Sequence, residues 1–420
     1  MDRVPLWLRK PLFVGVPVVA VVAGAVFFLG VDRADGGGHA AANRAQLKRA
    51  CTGLLPYEEL RDRVPDEVAG EVNQYGTVLD PGEESRSLVN CSVTWPGHGS
   101  VRVRAVALVS RMPMTVRAED ILPGGEDEGH EAPGVTGRTD SRGRTWVVAE
   151  CPGGLEGRFR EVSGMYVTAD VDLAGPDKGE QAEYLADFRT AVRVANGITA
   201  ARKCGGSPLK MPTRIIDTHE VRFAEDTDGT GTRIERIDEP GRGVKKCRGL
   251  GGRAGFPGKW TVRGDLQDSR LLSVCHAAVL DREDRMATDP ELSDDAVAEV
   301  SAASWAGPIG DVVDEQYDRT GDSFNSPGKE RTRYIPESAP HELALWARSQ
   351  CAAGTTYHRV TVRTKDPETN SRTLLDEAER TRFSKDVRKL MVSYLADPDG
   401  WPEQQRCHDT EILSEAEGWR

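Results

Sequence analysis

The sequence contains no Cys-x-x-Cys and no His-Glu-x-x-His, and aromatic residues make up only 6% of it. The first absence removes support for a thioredoxin-like redox centre, the second for a zincin-type metal site. None of the eight cysteines stands in a close Cys-x2-4-Cys pair, so a structural zinc site is not expected either. Basic charge is also short: 55 Lys and Arg face 67 Asp and Glu, a formal net charge of -12. Nucleic-acid phosphates demand a basic footprint, so that balance argues against such a ligand and against adhesion to anionic lipid. It suits a well-hydrated surface.

One stretch lacks charge entirely. Pro11 to Gly30, PLFVGVPVVAVVAGAVFFLG, is apolar throughout. Twenty residues at helical rise span about 30 Å, the thickness of a bilayer's hydrocarbon core. Arg3, Arg9 and Lys10 precede it, while Asp32, Arg33 and Asp35 follow. The positive-inside rule then puts residues 1–10 in the cytoplasm and the bulk of the chain outside. A cleaved signal peptide competes, with Ala40-Ala41-Ala42 as its cleavage site. The apolar run is longer than the usual core of roughly 7–15 residues, which favours an uncleaved anchor. Residues 31–45, rich in Gly and Ala, read as a stalk.

All eight cysteines follow this segment: Cys51, Cys91, Cys151, Cys204, Cys247, Cys275, Cys351 and Cys407. An even number in an extracytoplasmic chain implies disulfides. Their surroundings recur. Cys51-Thr-Gly-Leu is echoed by Cys247-Arg-Gly-Leu, and SRSLVNC, ending at Cys91, by SRLLSVC, ending at Cys275. Trp146, five residues before Cys151, is echoed by Trp346, five before Cys351, and Cys204 and Cys407 close the two halves. These ordered matches, offset by 184 to 203 residues, imply a tandem duplication at domain scale rather than a solenoid. Four cysteines in each half allow three connectivities, and the repeat asks for the same one in both; the pairing expected is Cys51–Cys91 with Cys151–Cys204, and Cys247–Cys275 with Cys351–Cys407.

The domain boundaries that follow are 46–207 and 241–410, with a linker at 208–240 and a C-terminal tail at 411–420. In the first half, LLPYEELRDRV at 54–64 reads as a helix. Strands are expected at 88–95, 101–109, 146–150 and 165–171, and residues 123–143 read as a polar loop. Residues 181–201 form the clearest helix, with Leu185, Phe188, Val192, Ala195 and Ile198 on one stripe. In the second half, strands are expected at 270–280, 343–349 and 357–364. A short helix at 294–303 falls inside an insertion of about 283–335, and a long helix covers 374–395. Each half is thus α+β, an antiparallel sheet under a C-terminal helix, behind an N-terminal transmembrane helix.

Cys51-Thr-Gly-Leu-Leu-Pro-x-Glu-Glu-Leu60 followed by Cys91-Ser-Val-Thr-Trp95 resembles a group of actinobacterial cell-surface domains of unknown function. The resemblance covers about residues 48–96. It implies a secreted or membrane-anchored protein whose first two cysteines pair, and it carries over no catalytic residue. The second half departs from it, with GLGGRAGFPGKW in place of the Leu-Leu-Pro helix and Cys275-His-Ala-Ala in place of the strand ending in Trp.

Motifs for chemistry are incomplete. Gly321-Asp322-Ser323 has the look of a hydrolase nucleophile block, but Asp127 to His130, the one Asp-x-x-His, lies upstream of it. Asp226, Asp228 and Glu235 approximate calcium-loop positions 3, 5 and 12, with Gly229 at 6; Ala224 at position 1 removes a ligand. Gly249-Leu-Gly-Gly-Arg-Ala-Gly255 lacks the strand and helix of a dinucleotide loop. Glu126, Asp127, Glu128, His130 and Glu131 could attract a cation, but read more simply as a solvated loop. No cofactor and no catalytic residue is expected. The expectation is a non-enzymatic, membrane-anchored extracytoplasmic binding module whose partner is an envelope protein or cell-wall component. An extracytoplasmic hydrolase-like enzyme is the alternative.

Overall fold

The strands form two antiparallel sheets whose central strands are buried, whereas the edge strands Glu71–Tyr75 and His408–Ile412 are exposed. A computed structural model describes residues 38–82, 87–108, 129–139, 143–155, 162–173, 179–217, 247, 250, 259–264, 269–280, 296–318, 342–364, 375–413 and 417–419. The first sheet has eight strands: β1 (Glu71–Tyr75), β2 (Ser87–Trp95), β3 (Gly99–Ala107), β4 (His130–Glu131), β5 (Gly137–Thr139), β6 (Thr145–Glu150), β7 (Gly164–Leu173) and β8 (Ile216–Asp217). Their order is β1-β2-β3-β7-β6-β5-β4-β8. The second comprises β9 (Lys259–Gly264), β10 (Leu272–Leu280), β11 (Ala296–Ala306), β12 (Glu342–Cys351), β13 (Gly354–Thr364), β14 (His408–Ile412) and β15 (Glu417–Trp419). Its order is β14-β12-β13-β11-β10-β9, with β15 also pairing β12. Every strand pair among the described residues is antiparallel.

Helices complete the layers: α1 (Ala40–Arg49), α2 (Tyr57–Leu60), α3 (Glu180–Ala201), α4 (Gly307–Asp318), α5 (Glu377–Leu395) and α6 (Trp401–Gln404). α3 packs on β6 and β7, and α5 on β12 and β13. In β6, Val147 and Ala149 face the α3 core beside Phe188, Val192 and Ile198. The alternate residues Trp146 and Val148 face the other way, into a core shared with Leu272, Trp305 and Trp346 of the second sheet. β12 repeats the pattern: Leu343, Leu345 and Ala347 face α5, whereas Ala344 and Trp346 face the first sheet. The strings WVVA and LALWA are apolar without interruption because each strand is buried on both faces. The molecule therefore stacks helix, sheet, sheet and helix.

The sheets also meet through polar and close-packed contacts. Thr136 Oγ1 lies 2.6 Å from Ser269 Oγ, Ser163 Oγ donates to Asp311 at 2.9 Å, and Arg270 Nε donates to Glu150 at 3.0 Å. Gly164 opens β7 against α4, where an added Cβ would sit 2.6 Å from the Pro308 ring.

Most elements follow the sequence pattern, with two corrections. The helix expected at 54–64 shrinks to α2, preceded by a 3-10 turn at Ala50–Gly53 in which Cys51 and Thr52 have φ of 53° and 55°. Pro56 disfavours helical backbone at Leu55 before it, so the α-helix starts only at Tyr57. Of the short helix expected at 294–303, residues 296–303 belong to strand β11. It runs between β10 and β13, and those two ladders outweigh the helix propensity of its alanines. A helix follows directly as α4. Gly307, at φ +56°, makes the turn, and Ile309, Val312 and Val313 bury one face.

Several smaller pieces are also ordered. β4 and β5 lie within the expected polar loop, and β8 pairs β4 inside the expected linker. Leu209 is bound there by Asn196 through two hydrogen bonds. Among the described residues no helix is long and apolar enough to cross a membrane. The apolar run at 11–30 lies outside the described residues.

Candidate functional site

Four disulfides close the structure: Cys51–Cys91, Cys151–Cys204, Cys247–Cys275 and Cys351–Cys407. They are the pairs implied by the repeated cysteine pattern. Cys51–Cys91 ties the 3-10 turn to β2, and Cys151–Cys204 ties the end of β6 to the segment after α3. There the Gly153 N–H also donates to the Cys204 carbonyl at 2.8 Å.

Beneath each long helix the otherwise apolar packing is interrupted by a titratable group. Under α3 it is Asp187, which is 6% exposed. Its Oδ1 accepts the Val171 N–H of β7 at 2.7 Å, and Thr145 Oγ1 of β6 lies 3.5 Å from Oδ2. Thr145 in turn shares a 2.9 Å hydrogen bond with Thr139 of β5. Burial pushes the Asp187 carboxyl up to about 7, and the charge of Asp170 adds to the rise; the Val171 N–H, Thr145 and Arg63 oppose it. One turn back on α3, Tyr184 packs its ring 4.2 Å from that of His130 on β4.

Under α5 the group is His358 of β13, fully buried. Its Nδ1 lies 2.6 Å from Ser304 Oγ of β11 and its Nε2 lies 3.1 Å from Ser349 Oγ of β12. Ser304 also meets the Tyr394 hydroxyl of α5 at 2.8 Å, and Ser349 meets Thr410 Oγ1 at 2.8 Å. With no cation or anion needed, burial holds the imidazole neutral, its pKa pushed down to about 3. Ser304 and His358 have the spacing of a nucleophile and its base. However, Ser304 and His358 are both 0% exposed, and the second ring nitrogen faces a hydroxyl rather than a carboxylate. That arrangement satisfies buried polar atoms and reaches no substrate.

The sulfurs of Cys351 and Cys407 lie within 4.8 Å of a His358 ring nitrogen, a ligand set of metal-like composition. Those sulfurs are bonded to each other, so no thiolate is available to a metal. A surface depression along α5 is lined by seven residues between Glu377 and Lys389. All seven come from a single helix, so no opposed wall gathers convergent groups around a ligand.

Of the residues the sequence singled out, His130 and Glu131 are buried on β4 rather than solvated. Glu126, Asp127 and Glu128 lie outside the described residues, as do Asp226, Asp228, Glu235 and Gly321-Asp322-Ser323. Asp187 and His358 were not foreseen. A signal for Asp187 existed, since it shares a helix row with the buried Ala191, Val194 and Ile198. His358 stands beside Tyr357 in a strand whose two faces are both buried, so alternation alone did not mark it. No protein family, curated protein or solved structure matches the chain.

Proposed function

We propose that this protein is a membrane-anchored, extracytoplasmic binding module of the cell envelope, held by residues 11–30 and presenting two duplicated lobes as one rigid body. The observation that carries this reading is the set of four disulfides, which form and persist in oxidising compartments. The uncharged run from Pro11 to Gly30, with basic residues before it, supports the anchor and its orientation. Duplication is supported by strand order. β2-β3-β7-β6 in the first sheet and β10-β11-β13-β12 in the second run in the same sequence, each beside a long helix after its last strand. The two copies would then pack face to face through equivalent strands, as a two-fold dimer does when fused.

A rigid double lobe suits recognition of an envelope protein or cell-wall component over a broad surface. The experiment is crosslinking in intact cells from single photoreactive residues placed around the exposed surface of the full-length chain. A binding module gives one reproducible crosslinked partner confined to adjacent positions. Uniform absence of crosslinks, together with turnover of ester or peptide substrates by the purified protein, would replace this reading with an extracytoplasmic enzyme.

A further inference from the structure

The four disulfides differ in what can reach them. Cys51, Cys151, Cys204, Cys247 and Cys275 are 0% exposed and Cys91 is 1% exposed. Cys351 and Cys407 are both half-buried, so theirs is the only pair with surface at either end. Cys351 ends β12 at the tight turn into β13, and Cys407 lies between α6 and β14. Arg406 and His408, on either side of Cys407, are both exposed. The fixed positive charge of Arg406 favours a thiolate, and attack on a disulfide is limited by access and by the stability of the thiolate that leaves.

We propose that Cys351–Cys407 is a thiol-exchange site, the one bond in this protein that a reduced dithiol partner of the same compartment can open while the fold stays intact. The incoming thiolate bonds to one sulfur of the pair. The bond between the two cysteines breaks, and the other sulfur leaves as a thiolate that takes up a proton from water. The partner's second thiol then attacks the mixed disulfide, leaving Cys351 and Cys407 as thiols and the partner oxidised.

The surroundings of the pair are held without it. Leu413 donates to the Trp346 carbonyl at 3.0 Å, the Ala352 N–H donates to the Gln405 carbonyl at 2.8 Å, and Ser349 and Thr410 share a 2.8 Å hydrogen bond. Opening this bond therefore removes a crosslink at the edge of the second sheet and leaves its pairing in place. Opening any of the other three first requires exposure of a packed core.

The test uses purified, fully oxidised protein under native conditions, with dithiothreitol as the dithiol. Samples are quenched over time with an alkylating reagent and mapped by mass spectrometry, while circular dichroism follows the fold. The expected result is alkylation of Cys351 and Cys407 about 10-fold or more ahead of the other six, with unchanged dichroism. A Cys351→Ser/Cys407→Ser variant should show no early alkylation. The proposal is overturned if a second pair opens at the same rate, if opening coincides with loss of the dichroism signal, or if the double variant is alkylated as early as the natural chain.

Discussion

Trp146 of β6 and Trp346 of β12, each five residues ahead of a disulfide cysteine, belong to one apolar layer between the two sheets. Trp146 stacks on Tyr166 with ring centroids 5.5 Å apart, and Trp346 on Trp305 at 5.7 Å. Neither sheet buries its inner face without the other. Trp346→Ala should lower stability by about 3–5 kcal/mol, and the loss should fall on the whole molecule. Calorimetry of the natural chain and the variant should each give a single transition. Two separate transitions, with only one shifted by the substitution, would contradict the shared core.

The contact at Gly164 makes a second prediction about the same layer. A side chain there meets the Pro308 ring and the Ala149 carbonyl, neither of which can retreat without moving α4 or β6. Gly164→Val should cost about 1–3 kcal/mol by overpacking, read from urea midpoints. An unchanged midpoint would mean that α4 does not press on β7.

These positions show what could be read in the sequence. The repeat of Cys and Trp narrowed the disulfide pairing to one pattern shared by both halves, because equivalent cysteines take equivalent partners. Strands such as VRVRAVA of β3 were legible from alternation. The orientation of WVVA and LALWA was not, because a segment buried on both faces shows no alternation to read. β11 was misread for a related reason: AVAEVSAASWA has helix-forming alanines, and only the ladders with β10 and β13 make it a strand. His358 carries no mark in the sequence because both faces of its strand are buried, whereas Asp187 stands in one helix row with Ala191, Val194 and Ile198.

Those two residues set opposed responses to pH. Asp187 is pushed up to about 7 in the folded protein, so its burial costs stability that grows as pH rises from about 4 to 7. His358 is pushed down to about 3, so its contribution is present above about 6.5 and is lost as pH falls towards 3. Between about pH 4 and 6.5 the two dependences oppose each other. Asp187→Asn should remove one side of that balance, so that stability falls steeply on acidification in this window. His358→Gln should do the reverse. Chemical denaturation across the window checks both, and parallel profiles for the natural chain and Asp187→Asn would refute the account of Asp187.

Removing a core disulfide should weaken the protein whatever the pH. Cys51–Cys91 spans 40 residues, and losing the constraint it places on the unfolded chain is worth about 4 kcal/mol. Cys51→Ala/Cys91→Ala should lower the urea midpoint accordingly and leave the dichroism spectrum of the folded state unchanged. A midpoint equal to that of the natural chain would show that the bond stabilises nothing.

The most direct test of an anchored, outward-facing, oxidised protein is protease treatment of intact, wall-stripped cells expressing the full chain, followed by non-reducing peptide mapping. The expected outcome is loss of the bulk of the chain from outside and retention of a short fragment containing residues 11–30 in the membrane. The released peptides should be joined as the four cysteine pairs described here. Protection of the bulk by an intact membrane, with the cysteines recovered as free thiols, would contradict it.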